Sequence, residues 1–171
     1  MEKKQVPHMV VGLIIALVIV ILFLSFYYTG NAFNKGPLSW LPICVFGGGI
    51  IFSVVQFAKA NNHNVTFGSC FSYGFKATAI IAIIMAIFVF CFITFVPEYK
   101  EQFVEYLRSE MEKKSGNLDE DQMDKSVNMI SRFFTISAVG GGLFLNLFIG
   151  AIASLIGAAV AKKNPTDPFV Q

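Results

Sequence analysis

The stretch ISAVGGGLFLNLFIGAIASLIGAAVA, residues 136–161, contains 26 residues and no charged side chain. Because roughly 20 apolar residues are enough to cross a bilayer as a helix, this stretch predicts a membrane span. At a spacing of four, its small residues fall on one face of the helix, whereas Phe, Leu and Ile occupy the other side. The small face predicts close packing against another helix, and therefore a bundle of membrane helices. Its candidate packing residues are Gly142, Asn146, Gly150, Ser154 and Ala158.

A second row of small residues lies on the third hydrophobic run, residues 67–95, and is the natural partner of the first. In lipid, helices associate through close backbone approach and interhelical hydrogen bonds. We therefore expect Gly150 and Ala82 to mark such an approach, and Asn146 to hydrogen-bond across the interface. The candidate packing residues of this second row are Gly74, Thr78, Ala82 and Ala86.

The composition is typical of an integral membrane protein. Of the 171 residues, 55% are hydrophobic and 14% are charged, against about 25% charged residues in soluble domains. A chain of this length has room for one domain. We predict an all-α integral membrane protein forming a single domain, residues 1–171, with transmembrane helices at about 8–28, 40–58, 67–95 and 136–161.

The sizeable polar segment, residues 97–135, lies between the third and fourth helices and contains nine Asp or Glu against six Lys or Arg. Its first half has the apolar spacing of an amphipathic helix, and Gly116 with Asn117 predicts a turn into a second helix. We therefore predict an amphipathic, acidic helical hairpin. No D-x-D-x-D-G loop accompanies the carboxylates, so a solvated face is favoured over a cation site.

Basic residues near the ends of the spans predict the orientation. With four spans, both termini share one side of the membrane, and we place that side in the cytoplasm because Lys and Arg prefer cytoplasmic loops. Lys76, inside the third span, is expected to extend back to the same interface as Lys59; a buried functional lysine is the alternative. The basic residues on the side of the termini are Lys3, Lys4, Lys59, Lys76, Lys162 and Lys163.

No constellation of residues points to catalysis, a cofactor or a metal. The histidines lie at the ends of spans, no Cys-x-x-Cys pair occurs, and no H-E-x-x-H or G-x-S-x-G motif is present. A disulfide between Cys44 and Cys91 is left open. The triple glycine at residues 47–49 lies inside an apolar run, where close packing or a kink is favoured over phosphate binding.

Three classes of function follow from these observations. A structural or accessory protein that acts through helix–helix packing is favoured. The alternative is a small oligomeric transporter or channel with a polar path near Asn146, although no carboxylate lies in any span. We do not expect an enzyme. The expected partners are the lipid bilayer and either a second copy or another membrane protein, with no nucleic acid.

The order of features along the chain resembles a known family. A Thr66-Phe67-Gly68 entry to the third span precedes Pro97 and an acidic segment, and the last small-residue helix closes on Lys162-Lys163. This order, from about Lys4 to Lys163, is similar to that of small bacterial inner-membrane proteins, common in Bacteroidota, catalogued as domain of unknown function forty-one-ninety-nine. The resemblance implies four transmembrane helices and a bacterial envelope location, and it supplies no catalytic residues. The other features in this order are Glu110, Met111, Gly116, Met123, Gly150, Ala151, Ile152, Ser154 and Leu155.

Overall fold

The computed structural model describes residues 6–33, 36–114 and 120–162, and within these ranges the regular structure is helical, with no strand. A short 3₁₀ turn, Pro37–Trp40, leads into the second helix, and a π-helical turn, Ser137–Gly141, leads into the sixth. The six α-helices are α1 (His8–Tyr28), α2 (Leu41–Ala60), α3 (Phe67–Phe95), α4 (Pro97–Lys114), α5 (Glu120–Ile136) and α6 (Gly142–Val160).

Within the described residues, four helical segments are long and apolar enough to cross a membrane: His8–Tyr28, Pro37–Ala60, Phe67–Phe95 and Met123–Val160. The last of these includes α5 from Met123, the π turn and α6. The predicted fold class, an all-α integral membrane protein with four transmembrane helices, is confirmed. Large apolar side chains of these helices, such as Leu13, Phe52 and Phe148, are exposed on the protein surface, where the acyl chains of a bilayer would cover them.

Helix boundaries follow local chemistry. Pro42 lies in the first turn of α2, where no backbone N–H is needed for an intrahelical bond. Thr66 caps α3, since its Oγ1 accepts a hydrogen bond from the backbone N–H of Ser69 at 3.2 Å. The π turn at residues 137–141 was not predicted. It coincides with the glycine run 140–142, where a Cβ would meet nothing within 4 Å. A wider helical turn therefore sacrifices no side-chain packing at these glycines.

The chain divides into two compact units. The first unit consists of the described residues up to Met85 together with those from Leu143 onwards, and the second unit is Ala86–Gly142. In the first unit, the core is formed by small and branched side chains with almost no solvent exposure, including Ala16, Ile50, Val54, Ala77 and Ile81. The single domain over residues 1–171 stays a prediction.

In the second unit, α4 packs on α5 through aromatic rings. The ring of Phe103 lies 4.9 Å from that of Phe134, which is buried, and Tyr99 contacts both Phe134 and Phe92. An ion pair joins Arg108 to Asp124 across the two helices. The predicted turn at Gly116 and Asn117 lies outside the described residues, so the acidic hairpin stays a prediction.

The structure contains no disulfide among the three cysteines, all of which lie in the described residues. Cys70 is buried in the core of the first unit, as small apolar residues often are, whereas Cys44 and Cys91 are exposed.

Candidate functional site

The closest approach between helices in the first unit joins α6 to α3 at Gly150 and Thr78. A Cβ placed on Gly150 would lie 2.8 Å from the Cβ of Thr78 and 2.5 Å from its Oγ1, and closer still to its Cγ2. Carbon atoms in contact normally lie about 3.5–4.0 Å apart. Only glycine at position 150 therefore permits this approach.

One turn earlier on α3, three helices meet. A Cβ on Gly74 would lie 2.7 Å from Oγ of Ser154 on α6 and 2.7 Å from Cγ2 of Val54 on α2. Ser154 donates a hydrogen bond from Oγ to the carbonyl of Gly150 in its own helix at 2.7 Å. Ser53, the buried serine of α2, donates to the carbonyl of Ile50 in the same way at 2.8 Å. The serine hydroxyls near this contact are therefore satisfied within single helices.

Thr78 is the exception. Its side chain has no solvent exposure, and its Oγ1 has no hydrogen-bond partner among the described residues. A buried hydroxyl without a partner costs about 1–3 kcal/mol. The contact with Gly150 therefore retains a polar group that contributes no hydrogen bond.

The structure brings together only part of the predicted packing residues. Asn146 is half-buried and makes no side-chain hydrogen bond with any described residue, so the predicted bond across the interface is absent. Gly142 and Ala86 fall in the second unit, and a Cβ on Gly142 would meet nothing within 4 Å. The predicted packing residues that are buried in the first unit are Gly74, Thr78, Ala82, Gly150, Ser154 and Ala158.

A cleft of about 700 Å³ opens at one end of the first unit, where α1 and α3 begin and α2 ends. Four polar residues of α3 line it at helical spacing: Ser69, Ser72, Tyr73 and Lys76. Residues three, four and seven positions apart share one face of a helix. The cleft is therefore bordered by a polar face of α3 that carries three hydroxyl groups and one ammonium group. Its other lining residues are Val6, Pro7, His8, Phe57, Thr66 and Gly68.

Tyr73 holds the walls of this cleft together. Its hydroxyl donates a hydrogen bond to the carbonyl of Val6 at 2.8 Å, which ties the chain before α1 to α3. Its ring stacks on Phe57 of α2 at 4.3 Å and meets the ring of His8 edge-on at 6.2 Å. The side chain of Tyr73 thus connects α3 with α2, with the start of α1 and with the chain before α1.

The turn between α2 and α3 is anchored at the same end. Asn62 and His63 both have positive φ angles, 53° and 63°, which non-glycine residues seldom adopt. Nδ1 of His63 lies 2.8 Å from the carbonyl oxygen of Lys162, just after α6. Because a carbonyl can only accept, Nδ1 carries the proton in this bond. The bond holds the strained turn against the end of α6.

The charged side chains among the described residues at this end of the first unit are all positive. The described residues of the unit include three lysines, Lys59, Lys76 and Lys162, and no Asp or Glu. No described carboxylate of this unit can therefore neutralise Lys76 inside its cleft. Lys76 is exposed, so the alternative of a buried functional lysine does not hold, but the lysine does face a cavity.

Lys76 stands out in the sequence, whereas the three other polar residues of α3 that line the cleft were not predicted to belong to a site. The signal was present, because Ser69, Ser72 and Tyr73 precede Lys76 at spacings of seven, four and three. It was hidden because the same stretch of α3 carries the small residues that favour packing. In the described residues, no group of three or more His, Cys, Asp or Glu side chains could hold a metal ion.

The second unit has a cleft of its own, about 690 Å³, between α4 and α5. Here both cationic and anionic side chains line the walls, and Arg108 is already paired with Asp124. The electrostatic character of this cleft is mixed, unlike that of the cleft in the first unit. Its charged lining residues are Lys100, Glu101, Glu105, Arg108 and Asp124.

Comparison with known proteins identifies a family but no function. A family model described as "Protein of unknown function (DUF4199)" matches residues 11–163. The match extends from the first turn of α1 past the end of α6, and so includes most of the residues that line the two clefts. No curated protein and no solved structure matches the chain.

Proposed function

We propose that this chain, which belongs to the family described as "Protein of unknown function (DUF4199)", is a structural or accessory protein of the bacterial inner membrane. It acts through helix–helix packing, with the bilayer and either a second copy or another membrane protein as its partners. In this proposal the protein is not an enzyme and uses no cofactor, metal or nucleic acid. Both termini face the cytoplasm.

The contact of Gly150 with Thr78 is the observation that carries the proposal. A transport path through the first unit requires space between its helices, and here the backbone of α6 lies directly against the side chain of α3. The neighbouring serines direct their hydroxyls to carbonyls of their own helices rather than into a shared polar channel. This interior supports a role in which rigidity of the bundle is the useful property.

The alternative is a small oligomeric transporter or channel. One observation favours it: Asn146 is half-buried in an apolar helix without a hydrogen bond to the described residues. Polar side chains at membrane depth are costly and often functional. A second copy of the chain that contacted Asn146 would complete a polar path that one copy lacks.

Purification from native membranes in a mild detergent tests the two functions against each other. The full chain and the variant Asn146→Leu are isolated side by side, and bound proteins and small solutes are identified by mass spectrometry. We expect a stoichiometric protein partner, or a stable homo-oligomer, that both versions retain. A solute or ion that is retained by the original chain and lost in Asn146→Leu would replace the structural role by transport.

A further inference from the structure

The structure assigns a second role to the cleft of the first unit: we propose that it binds the phosphate group of an anionic phospholipid. Lys76 supplies the positive charge, and Ser72 supplies a hydroxyl group on the same face of α3. The hydroxyl of Ser69, which shares a hydrogen bond with Oγ1 of Thr66 at 3.0 Å, lies one turn earlier on that face. This role is independent of the packing function, because none of these residues contributes to the contact between α3 and α6.

The depth of Lys76 fits a lipid phosphate. From Ala77 to Phe95, α3 contains 19 residues and no charge. At 1.5 Å per residue this part of the helix is about 29 Å long, which matches the roughly 30 Å hydrocarbon core of a bilayer. Lys76 therefore lies at the boundary of the hydrocarbon core. The preceding turns of α3, with Ser69 and Ser72, extend into the headgroup layer.

The charge of the described residues in this unit favours an anion as the ligand. No described residue of the first unit is acidic, so the ammonium group of Lys76 has no carboxylate of this part of the chain to bind. A phosphate oxygen accepts charge-assisted hydrogen bonds from an ammonium group and ordinary ones from hydroxyls. Basic pockets between membrane helices recognise lipid headgroups by this chemistry.

The cleft is large enough for a lipid headgroup. Its volume, about 700 Å³, falls within the roughly 300–1,000 Å³ typical of small-ligand sites. The bond from Tyr73 to the carbonyl of Val6 and the stack on Phe57 hold the walls in place before any ligand arrives. The apolar side chains of Phe57 and Val6 at its border can contact the glycerol and first acyl carbons of a lipid.

The test measures lipid binding by the purified full chain in a neutral detergent, using native mass spectrometry. Phosphatidylglycerol and phosphatidylcholine are titrated separately, and inorganic phosphate is added as a soluble competitor. We expect phosphatidylglycerol to bind in preference to phosphatidylcholine. Retention of the lipid at millimolar phosphate identifies a lipid headgroup as the ligand, whereas displacement overturns the lipid assignment in favour of a soluble phosphate compound bound by the same groups.

Three variants locate the site. Lys76→Gln is expected to weaken phosphatidylglycerol binding about ten- to hundredfold, because it removes a charge-assisted hydrogen bond. Ser72→Ala, which removes a single oxygen, should weaken it about two- to tenfold. The matched control is Lys59→Gln, which removes the same charge at the same end of the unit but outside the cleft. Loss of diffuse surface attraction limits its effect to about fivefold.

The proposal is overturned if Lys59→Gln and Lys76→Gln weaken binding equally, because the attraction is then diffuse. It is also overturned if the original chain binds neither phosphatidylglycerol nor phosphate in preference to phosphatidylcholine. Thermal unfolding of each variant is recorded alongside. If Lys76→Gln does not fold, Ser72→Ala decides the question, and an unchanged affinity for phosphatidylglycerol in that variant contradicts the site.

Discussion

Replacing Gly150 by Ala adds one methyl group at the closest approach between α3 and α6. The new Cβ would lie 2.5 Å from Oγ1 and 2.8 Å from Cβ of Thr78, about 1 Å inside ordinary contact. Thr78 is completely buried and cannot rotate into solvent, so α6 must shift away from α3. Overpacking of this kind costs about 1–3 kcal/mol of the free energy of unfolding.

Gly48→Ala is the matched control for this substitution. Gly48 also lies inside an apolar helix, but a Cβ there meets nothing within 4 Å. We expect this variant to be unchanged or more stable by up to about 1 kcal/mol, since alanine favours the helix over glycine. The measurement is equilibrium unfolding of all variants in one detergent mixture with increasing dodecyl sulfate, followed by far-ultraviolet circular dichroism.

A double variant examines the contact directly. Thr78→Ala removes the Oγ1 and Cγ2 that a methyl group at position 150 would meet, and leaves the Cβ at 2.8 Å. Combining it with Gly150→Ala should therefore recover part of the lost stability, with a coupling energy of about 0.5–3 kcal/mol. If Gly150→Ala and Gly48→Ala have the same stability, or if the effects at positions 150 and 78 are simply additive, the close approach does not exist and the packing argument fails.

Three further predictions concern the buried hydroxyl, the aromatic contact and the orientation. Thr78→Val removes a hydroxyl without a partner among the described residues, so it should leave the free energy of unfolding unchanged or raise it by about 1–2 kcal/mol. Ser154→Ala loses a hydrogen bond and should lower the free energy of unfolding by about 0.5–1.5 kcal/mol. A loss for Thr78→Val as large as that for Ser154→Ala would mean that the Thr78 hydroxyl has a partner. Phe103→Glu removes the ring contact with Phe134 and should destabilise the second unit by about 3 kcal/mol or more. Glu105→Lys changes an exposed side chain and should destabilise the unit by less than about 1 kcal/mol. Equal losses of stability in thermal unfolding would contradict packing through this aromatic face. For the orientation, single cysteines are placed in a cysteine-free background and exposed to a membrane-impermeant thiol reagent in cells with a permeabilised outer membrane. Because both termini are proposed to be cytoplasmic, Lys113→Cys should react and Lys162→Cys should not. The opposite labelling would reverse the orientation.

The packing residues show how much of a helix contact can be predicted from the spacing of residues in the sequence. The spacing of small residues placed Gly74, Thr78, Gly150 and Ser154 on helix faces suited to close approach. It also predicted that Gly150 and Ala82 mark a close approach, and in the structure the atoms nearest to a Cβ on Gly150 belong to Thr78. A periodic pattern states which residues of one helix share a face, but the axial offset between two helices depends on the packing of every pair along them.

The triple glycine of α2 makes the same point. Residues 47, 48 and 49 are all glycine and have nearly the same neighbours in sequence, so the sequence did not decide whether they serve close packing or a kink. In the structure the helix is continuous through all three glycines. A Cβ on Gly47 or Gly48 would meet nothing within 4 Å, whereas a Cβ on Gly49 would lie 3.0 Å from Cδ1 of Ile15 on α1. The position of α1 around α2 decides which glycine is used.

By itself, the sequence determined the class of this protein: four uncharged or nearly uncharged apolar runs have no stable arrangement in water and satisfy their backbone hydrogen bonds in a bilayer as helices. It also determined which faces are small enough for helices to approach. The tertiary structure alone decided that Gly150 meets Thr78, that Asn146 forms no side-chain hydrogen bond with any described residue, and that Tyr73 of α3 contacts α2 and the start of α1. These features depend on residues distant in the chain, such as Val6 and Tyr73, whose contact is set by the packing of whole helices and by no local preference of either residue.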